Sequence, residues 1–185
     1  EIKEPIWCND EVALVGVNTA RRAGWHWNWA HGRVTKKQLE LLDGRLAKLP
    51  AGVVRIVVAH HPFLPPEKAP ETRLVGRVDK ALAVFARHDV RIVLAGHLHR
   101  AYSRIAPIGP GSSVVVVQAG TATSTRLRDE SNAYNRFVVS EGRVAMETRV
   151  WNGHNWERGY TSTNLLDPQP ATPQEPGPDA RESDA

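Results

Sequence analysis

Four of the eight histidines in this 185-residue chain stand at the ends of two apolar runs. Arg55-Ile56-Val57-Val58-Ala59 leads into His60, His61 and Pro62, and Arg91-Ile92-Val93-Leu94-Ala95 leads into Gly96-His97-Leu98-His99. A neutral imidazole offers a ring lone pair and suits first-row transition metals. Three that converge at a strand edge make a metal site, and three alone also suit a mononuclear zinc with an open water position. A single histidine near a strand end is ordinarily a polar group making a hydrogen bond; paired histidines at two matching ends are harder to dismiss. His97 and His99 are two apart, so in extended backbone both imidazoles face one way. Leu98 then turns to the core, and Gly96 permits the sharp departure from the strand. His26, His31, His88 and His154 show no partner spacing and read as surface or packing residues.

The elements around these runs decide whether the histidines meet. Val75–His88 reads as an amphipathic helix with Val78, Leu82 and Phe85 on one side. Strand, helix and strand in that order make a parallel unit. Both C-terminal strand ends then lie at one sheet edge, where ligand sites collect, and His60 and His97 become neighbours. Upstream, Val12–Asn18 reads as a buried strand and Thr35–Leu49 as a helix, with Leu39, Leu42, Leu46 and Leu49 at helical spacing and Thr35 with Gln38 as a capping box. Thr19–Gly32 reads as a loop carrying Trp25, Trp27 and Trp29, which either cap a pocket or a contact between copies, or fold their rings onto the domain. Proline-punctuated Pro62–Pro70 reads as irregular. Downstream, Arg100–Ala106, Ser113–Ala119 and a hairpin of Tyr134–Ser140 with Arg143–Val150, turning at Glu141-Gly142, read as antiparallel. Tyr102 and Arg104 either line the site mouth or face outward. The predicted class is α/β: layered mixed β-sheets flanked by helices.

Composition bounds the rest. Apolar residues make up 41% and charged residues 24%, ordinary values for a globular chain. No apolar stretch is long enough to span a bilayer, so no membrane association is expected. The lone cysteine, Cys8, forms no internal disulfide, and the default expectation is a cytoplasmic protein. The net charge of +4 conceals an acidic end, where Asp167–Ala185 holds five acids against Arg181. The remaining basic body can attract phosphate. Its Lys and Arg are scattered, so nucleic acid is not an expected partner. The expected organisation is a domain over residues 1–160 and a Pro- and acid-rich tail over 161–185, too poor in apolar side chains to fold.

The two histidine blocks, Val57-Val58-Ala59-His60-His61-Pro62 and Ala95-Gly96-His97-Leu98-His99-Arg100, resemble the last two signature blocks of the calcineurin-like metallophosphoesterases. The resemblance is closest to the branch that includes bacterial cyclic-nucleotide phosphodiesterases. It extends through Val12–Thr19, Gly32–Leu49, Gln118-Ala119-Gly120-Thr121 and Tyr134-Asn135, and covers Pro5 to Trp151. It implies a metallophosphoesterase-like β-sandwich and a metal-dependent hydrolase acting on a small phosphoester, a cyclic nucleotide or another phosphodiester. It implies two divalent metals (manganese, iron or zinc), which such sites hold about 3.5–4 Å apart. By resemblance His60 binds one metal, His97 shares it, and His99 binds the other; His61 stands behind the ligands or faces the substrate.

Three earlier blocks of that family, Asp-x-His, Gly-Asp-x-x-Asp and Gly-Asn-His-Asp, have no match. Asn9-Asp10 and Asn152-Gly153-His154-Asn155 differ from them, and Asp43-Gly44 reverses the order. The chain therefore resembles the C-terminal portion of the domain, incomplete at its N-terminal side. Metal binding is expected to be weak or partial, and the chain alone inactive or nearly so. The absent strands are expected beside Val53–Ala59 or Val12–Val17, leaving a bare edge and apolar surface for an N-terminal half or a second copy to cover. The alternative is a non-catalytic binding module that retains a degenerate histidine cluster, and a third reading is a mononuclear histidine zinc hydrolase.

Overall fold

A computed structural model describes residues 4–20, 32–125 and 130–167. In chain order its elements are β1 (Ile6–Cys8), β2 (Val12–Gly16), α1 (Lys36–Leu46), β3 (Val54–Val58), α2 (Val78–Arg87), β4 (Val90–Ala95), β5 (Tyr102–Gly109), β6 (Ser112–Gln118), β7 (Ala133–Ser140), β8 (Arg143–Trp151) and β9 (Trp156–Ser162). They form a six-stranded mixed sheet in the order β1-β2-β3-β4-β6-β5 and a three-stranded sheet in the order β7-β8-β9. β2, β3, β4 and β6 run parallel, while β1 and β5 join antiparallel at the two edges.

The continuous apolar runs follow from burial on both faces of the large sheet. Val57, Val93 and Val116 point toward α1 and α2, where they meet Leu42, Leu46, Val84 and Phe85. Their strand neighbours Ile56, Ile92 and Val115 point the other way, against Val144, Met146 and Leu165. The molecule is thus an α/β fold of layered β-sheets with helices on one side, as the element pattern predicts.

Local signals are met closely. Thr35 caps α1: its hydroxyl accepts from the Gln38 N–H at 3.1 Å, and the Gln38 side chain accepts from the Thr35 N–H at 2.9 Å. The β7–β8 hairpin turns through Glu141 and Gly142, both at positive φ (52° and 73°), as a two-residue hairpin of the primed type requires.

Two expectations differ. Neither β2 nor β3 is an open edge, because β1 pairs with β2 and β3 lies between β2 and β4. On that side the outermost of the described strands is therefore β1, whose Trp7 is 54% exposed. The packed body also continues past residue 160: β9 runs to Ser162, and Leu165 is wholly buried, its N–H donating to the Val144 carbonyl. Leu165 anchors the closing segment because its side chain fills the seam between the two sheets. Trp25, Trp27, Trp29, His26 and His31 lie outside the described residues, as does the tail beyond Asp167. No helix among the described residues is long and apolar enough to cross a membrane.

Candidate metal centre

The parallel register sets β3 and β4 level, with Val58 opposite Leu94. Pairing continues beyond the strands: the Ala59 N–H donates to the Leu94 carbonyl at 2.9 Å and the Gly96 N–H to the His60 carbonyl at 3.0 Å. His60 and His97 therefore emerge side by side. His97 Nδ1 lies 3.2 Å from His60 Nε2. The His61 ring completes a triangle, with its centroid 4.9 Å from that of His60 and 4.6 Å from that of His97. One nitrogen from each of the three imidazoles lies within 4.8 Å of the others. No carboxylate among the described residues joins them.

His61 is held from two sides. Its Nδ1 shares a 2.8 Å hydrogen bond with Thr19 Oγ1, and its backbone N–H donates to the same hydroxyl at 3.2 Å. Thr19 is 1% exposed and His61 5% exposed, so this contact is shut off from bulk water. The Thr19 carbonyl accepts from the Arg33 N–H at 2.9 Å, which fixes the end of β2 against the segment entering α1. Gly32 lies against the imidazole itself: a Cβ there would sit 2.1 Å from His61 Nδ1 and 2.2 Å from Cγ. Only a residue without a side chain leaves the ring in place. When Nδ1–H is the donor to Thr19, the lone pair sits on Nε2, the arrangement that hydrogen-bonded metal-ligating histidines adopt.

The other strand end is shaped by its backbone. The Leu98 N–H donates to the Gly96 carbonyl at 3.0 Å, closing a three-residue turn centred on His97 at φ +78°. That turn is rare and strained for a residue with a Cβ, and such conformations cost on the order of 1–3 kcal/mol. His99 is also left-handed, at φ +55°. The segment is therefore not extended, the two-residue spacing loses its same-side meaning, and His99 is not a member of the cluster. Leu98 is half-buried instead of seated in the core. Gly96 is not the left-handed residue, and a Cβ on it would make only ordinary contacts at 3.8 Å.

The structure thus brings together His60 and His97, which the spacing made neighbours, and adds His61, while His99 is outside the group. Thr19 and Gly32 went unread because their contacts with His61 are tertiary. The one local hint is a threonine closing an apolar strand, where its hydroxyl must find a partner once buried.

The residue types suit a metal, and one pair of nitrogens already has the spacing of ligands on a shared ion. At zinc–nitrogen distances of 2.0–2.1 Å, tetrahedral geometry separates neighbouring nitrogens by about 3.3 Å, close to the 3.2 Å between His97 Nδ1 and His60 Nε2. Three imidazoles with no carboxylate favour zinc, iron or nickel over manganese, which prefers oxygen.

The remaining sequence candidates have structural work. The Tyr102 hydroxyl donates to the Leu64 carbonyl at 2.7 Å, and Arg104 Nη1 donates to the Pro65 carbonyl at 2.8 Å. Both pin the loop that follows His61 onto β5. Burial pushes the Tyr102 phenol up to about 12, against a smaller opposing pull from Arg104. His88 Nε2 lies 2.8 Å from Asp43 Oδ1, and Arg87 bonds the same oxygen, tying α2 to α1. Those two bonds, Arg87 first, hold the Asp43 carboxyl below its ordinary value. His154 sits in an exposed turn, its N–H donating to Asn152 Oδ1.

No protein-family model matches the chain, and no curated protein does. Solved structures do. One is a Staphylococcus aureus protein provisionally named a 5'-nucleotidase, solved with alpha-ketoglutarate; it is 14% identical, with a TM-score of 0.41, and the match covers 90% of this chain and 30% of that one. Another is Vps29 from Entamoeba histolytica complexed with zinc, 11% identical with a TM-score of 0.33, covering 79% of this chain and 96% of that one. Likenesses this loose carry no argument, and the fold stands on its own elements and their packing.

Proposed function

We propose that His60, His61 and His97 hold one divalent first-row transition-metal ion, zinc foremost, and that this centre serves hydrolysis of a phosphoester. The supporting observation is the convergence of three imidazole nitrogens within 4.8 Å at the C-terminal edge of parallel strands. The phosphoester is suggested by the resemblance of the two histidine blocks to metallophosphoesterase signatures. A bound ion of this class supplies Lewis acidity and lowers the pKa of a coordinated water toward about 7. The chain's own residues provide orientation. Thr19 and Gly32 fix the buried His61 ring, the turn at His97 aims its Nδ1 at His60, and the exposed His60 marks the side open to solvent.

Two-metal phosphoester hydrolysis uses a second ion. In this reading a second ion needs carboxylates from elsewhere, since no described residue brings one to the cluster. The chain by itself then holds one ion and turns over slowly. The same lack of carboxylates favours the second reading, a binding module that keeps the metal without catalysis.

Zinc and manganese titrations by calorimetry, paired with p-nitrophenyl phosphate and bis-p-nitrophenyl phosphate assays, test the proposal. One zinc per chain is expected, with zinc preferred over manganese, and binding is lost in His97→Ala. Hydrolysis that disappears in His97→Ala supports the phosphoesterase. Tight zinc without hydrolysis supports the binding module, and absence of metal binding overturns both.

A further inference from the structure

Beside the histidine cluster lies a cavity of about 170 Å³, lined in part by Gly32, His61, Thr72, Arg73, Val75 and His97. Its walls are well fixed. The Thr72 N–H donates to the Ala69 carbonyl and the Val75 N–H to the Pro62 carbonyl, each at 3.0 Å, and the Gly76 N–H donates to the Gly32 carbonyl at 2.9 Å. The segment carrying Arg73 is thereby stitched both to the loop after His61 and to the backbone that packs on the His61 ring. The polar side chains among the described lining residues are those of two histidines, a threonine and an arginine, and none of these described residues is acidic. Arg73 is exposed and makes no ion pair with a described residue, and its guanidinium is permanently charged. A volume this far below the roughly 300 Å³ at which drug-sized ligand pockets begin excludes a whole nucleotide but admits one small anionic group.

We infer that Arg73 binds the non-bridging oxygens of a phosphoryl group seated in this cavity against His61 and His97. A guanidinium presents two parallel N–H donors that match two phosphoryl oxygens, which a lysine ammonium cannot do. The inference deepens the reading of the histidine centre as a phosphoester site. It adds the residue that selects the anion and orients it toward the metal-binding imidazoles. The bulk of the ester lies outside the cavity, so discrimination falls on the phosphoryl group and not on the group it is esterified to.

Calorimetry with inorganic phosphate, on the zinc-loaded and the metal-free chain, tests this in wild type, Arg73→Met and Arg73→Lys. Phosphate affinity is expected to fall on the order of tenfold in Arg73→Met and to return in part in Arg73→Lys. Zinc affinity should be unchanged in both variants, because Arg73 is not a ligand. Unchanged melting temperatures would show that the exposed side chain can be replaced without loss of the fold. Equal phosphate affinity in wild type and Arg73→Met overturns the inference, as does absence of phosphate binding to wild type at millimolar concentration. Zinc binding with no effect of Arg73 leaves the metal centre standing and removes only this proposal. Arg73-dependent phosphate binding without zinc binding does the reverse.

Discussion

β3 and β4 are parallel neighbours that end level with one another, and each delivers a pair of histidines, yet the two ends are built differently. At the end of β3, pairing with the neighbouring strand continues through Ala59 and His60, and His61 is then gripped by Thr19 and Gly32. At the end of β4 the chain turns at once, placing His97 and His99 in the left-handed region. One end spends packing to orient its second imidazole; the other spends backbone strain to orient its first. Past the last ladder bond, the direction of a side chain is set by what packs on it, and its spacing from the previous histidine carries no information.

The sharpest way to break the comparison is to remove the grip on His61. In Gly32→Ala the new Cβ would collide with the ring 2.1 Å away, and backbone on one side and the Thr19 hydroxyl on the other leave the imidazole little room to yield. Zinc affinity measured by titration should fall by more than about a hundredfold, with overpacking costing about 1–3 kcal/mol in a denaturant melt. Wild-type zinc affinity in this variant would show that His61 is not held as described. A smaller effect is expected from Thr19→Val, which keeps the shape and deletes the hydroxyl. Loss of a ligand's supporting hydrogen bond typically costs 10–100-fold in metal affinity, and Thr19→Ser should recover most of it. Failure of serine to rescue would assign Thr19 a purely packing role.

The smallest effect concerns the loop leaving the β3 end. Tyr102→Phe deprives the Leu64 carbonyl of its donor, and an unsatisfied buried group costs about 1–3 kcal/mol. The pH dependence has a defined sign. The folded phenol is raised to about 12 while the unfolded one titrates near 10. The unfolded chain therefore loses this proton first as pH rises. The stabilisation is complete below about pH 10 and fades toward pH 12. Denaturant melts across that range should show an alkaline loss in wild type that is reduced in Tyr102→Phe; parallel profiles would remove Tyr102 as its source.

Much of the architecture was legible because it rests on short-range rules. The buried runs before His60 and His97, the leucine spacing and cap of α1, and the Glu141-Gly142 turn each carry their signal within a few residues. β1 and β9 were not legible. Ile6-Trp7-Cys8 is exposed throughout, and β9 is exposed up to Ser162 and is interrupted by Gly159, so neither shows an alternating pattern; each exists because a partner strand supplies its hydrogen bonds. The exchange of His99 for His61 has the same origin. The same-side rule for residues two apart holds only in extended backbone, which ends at Ala95. The contact that places His61 joins positions 42 residues apart, and no local pattern encodes it.

The most direct test compares zinc titrations of wild type, His61→Ala and His99→Ala by calorimetry under one set of conditions. The predicted result is one zinc per wild-type chain, an affinity loss of more than about a hundredfold in His61→Ala, beyond what a supporting hydrogen bond alone is worth, and a change of no more than about threefold in His99→Ala. An equal or larger loss in His99→Ala, or full zinc affinity without His61, would contradict the three-imidazole centre.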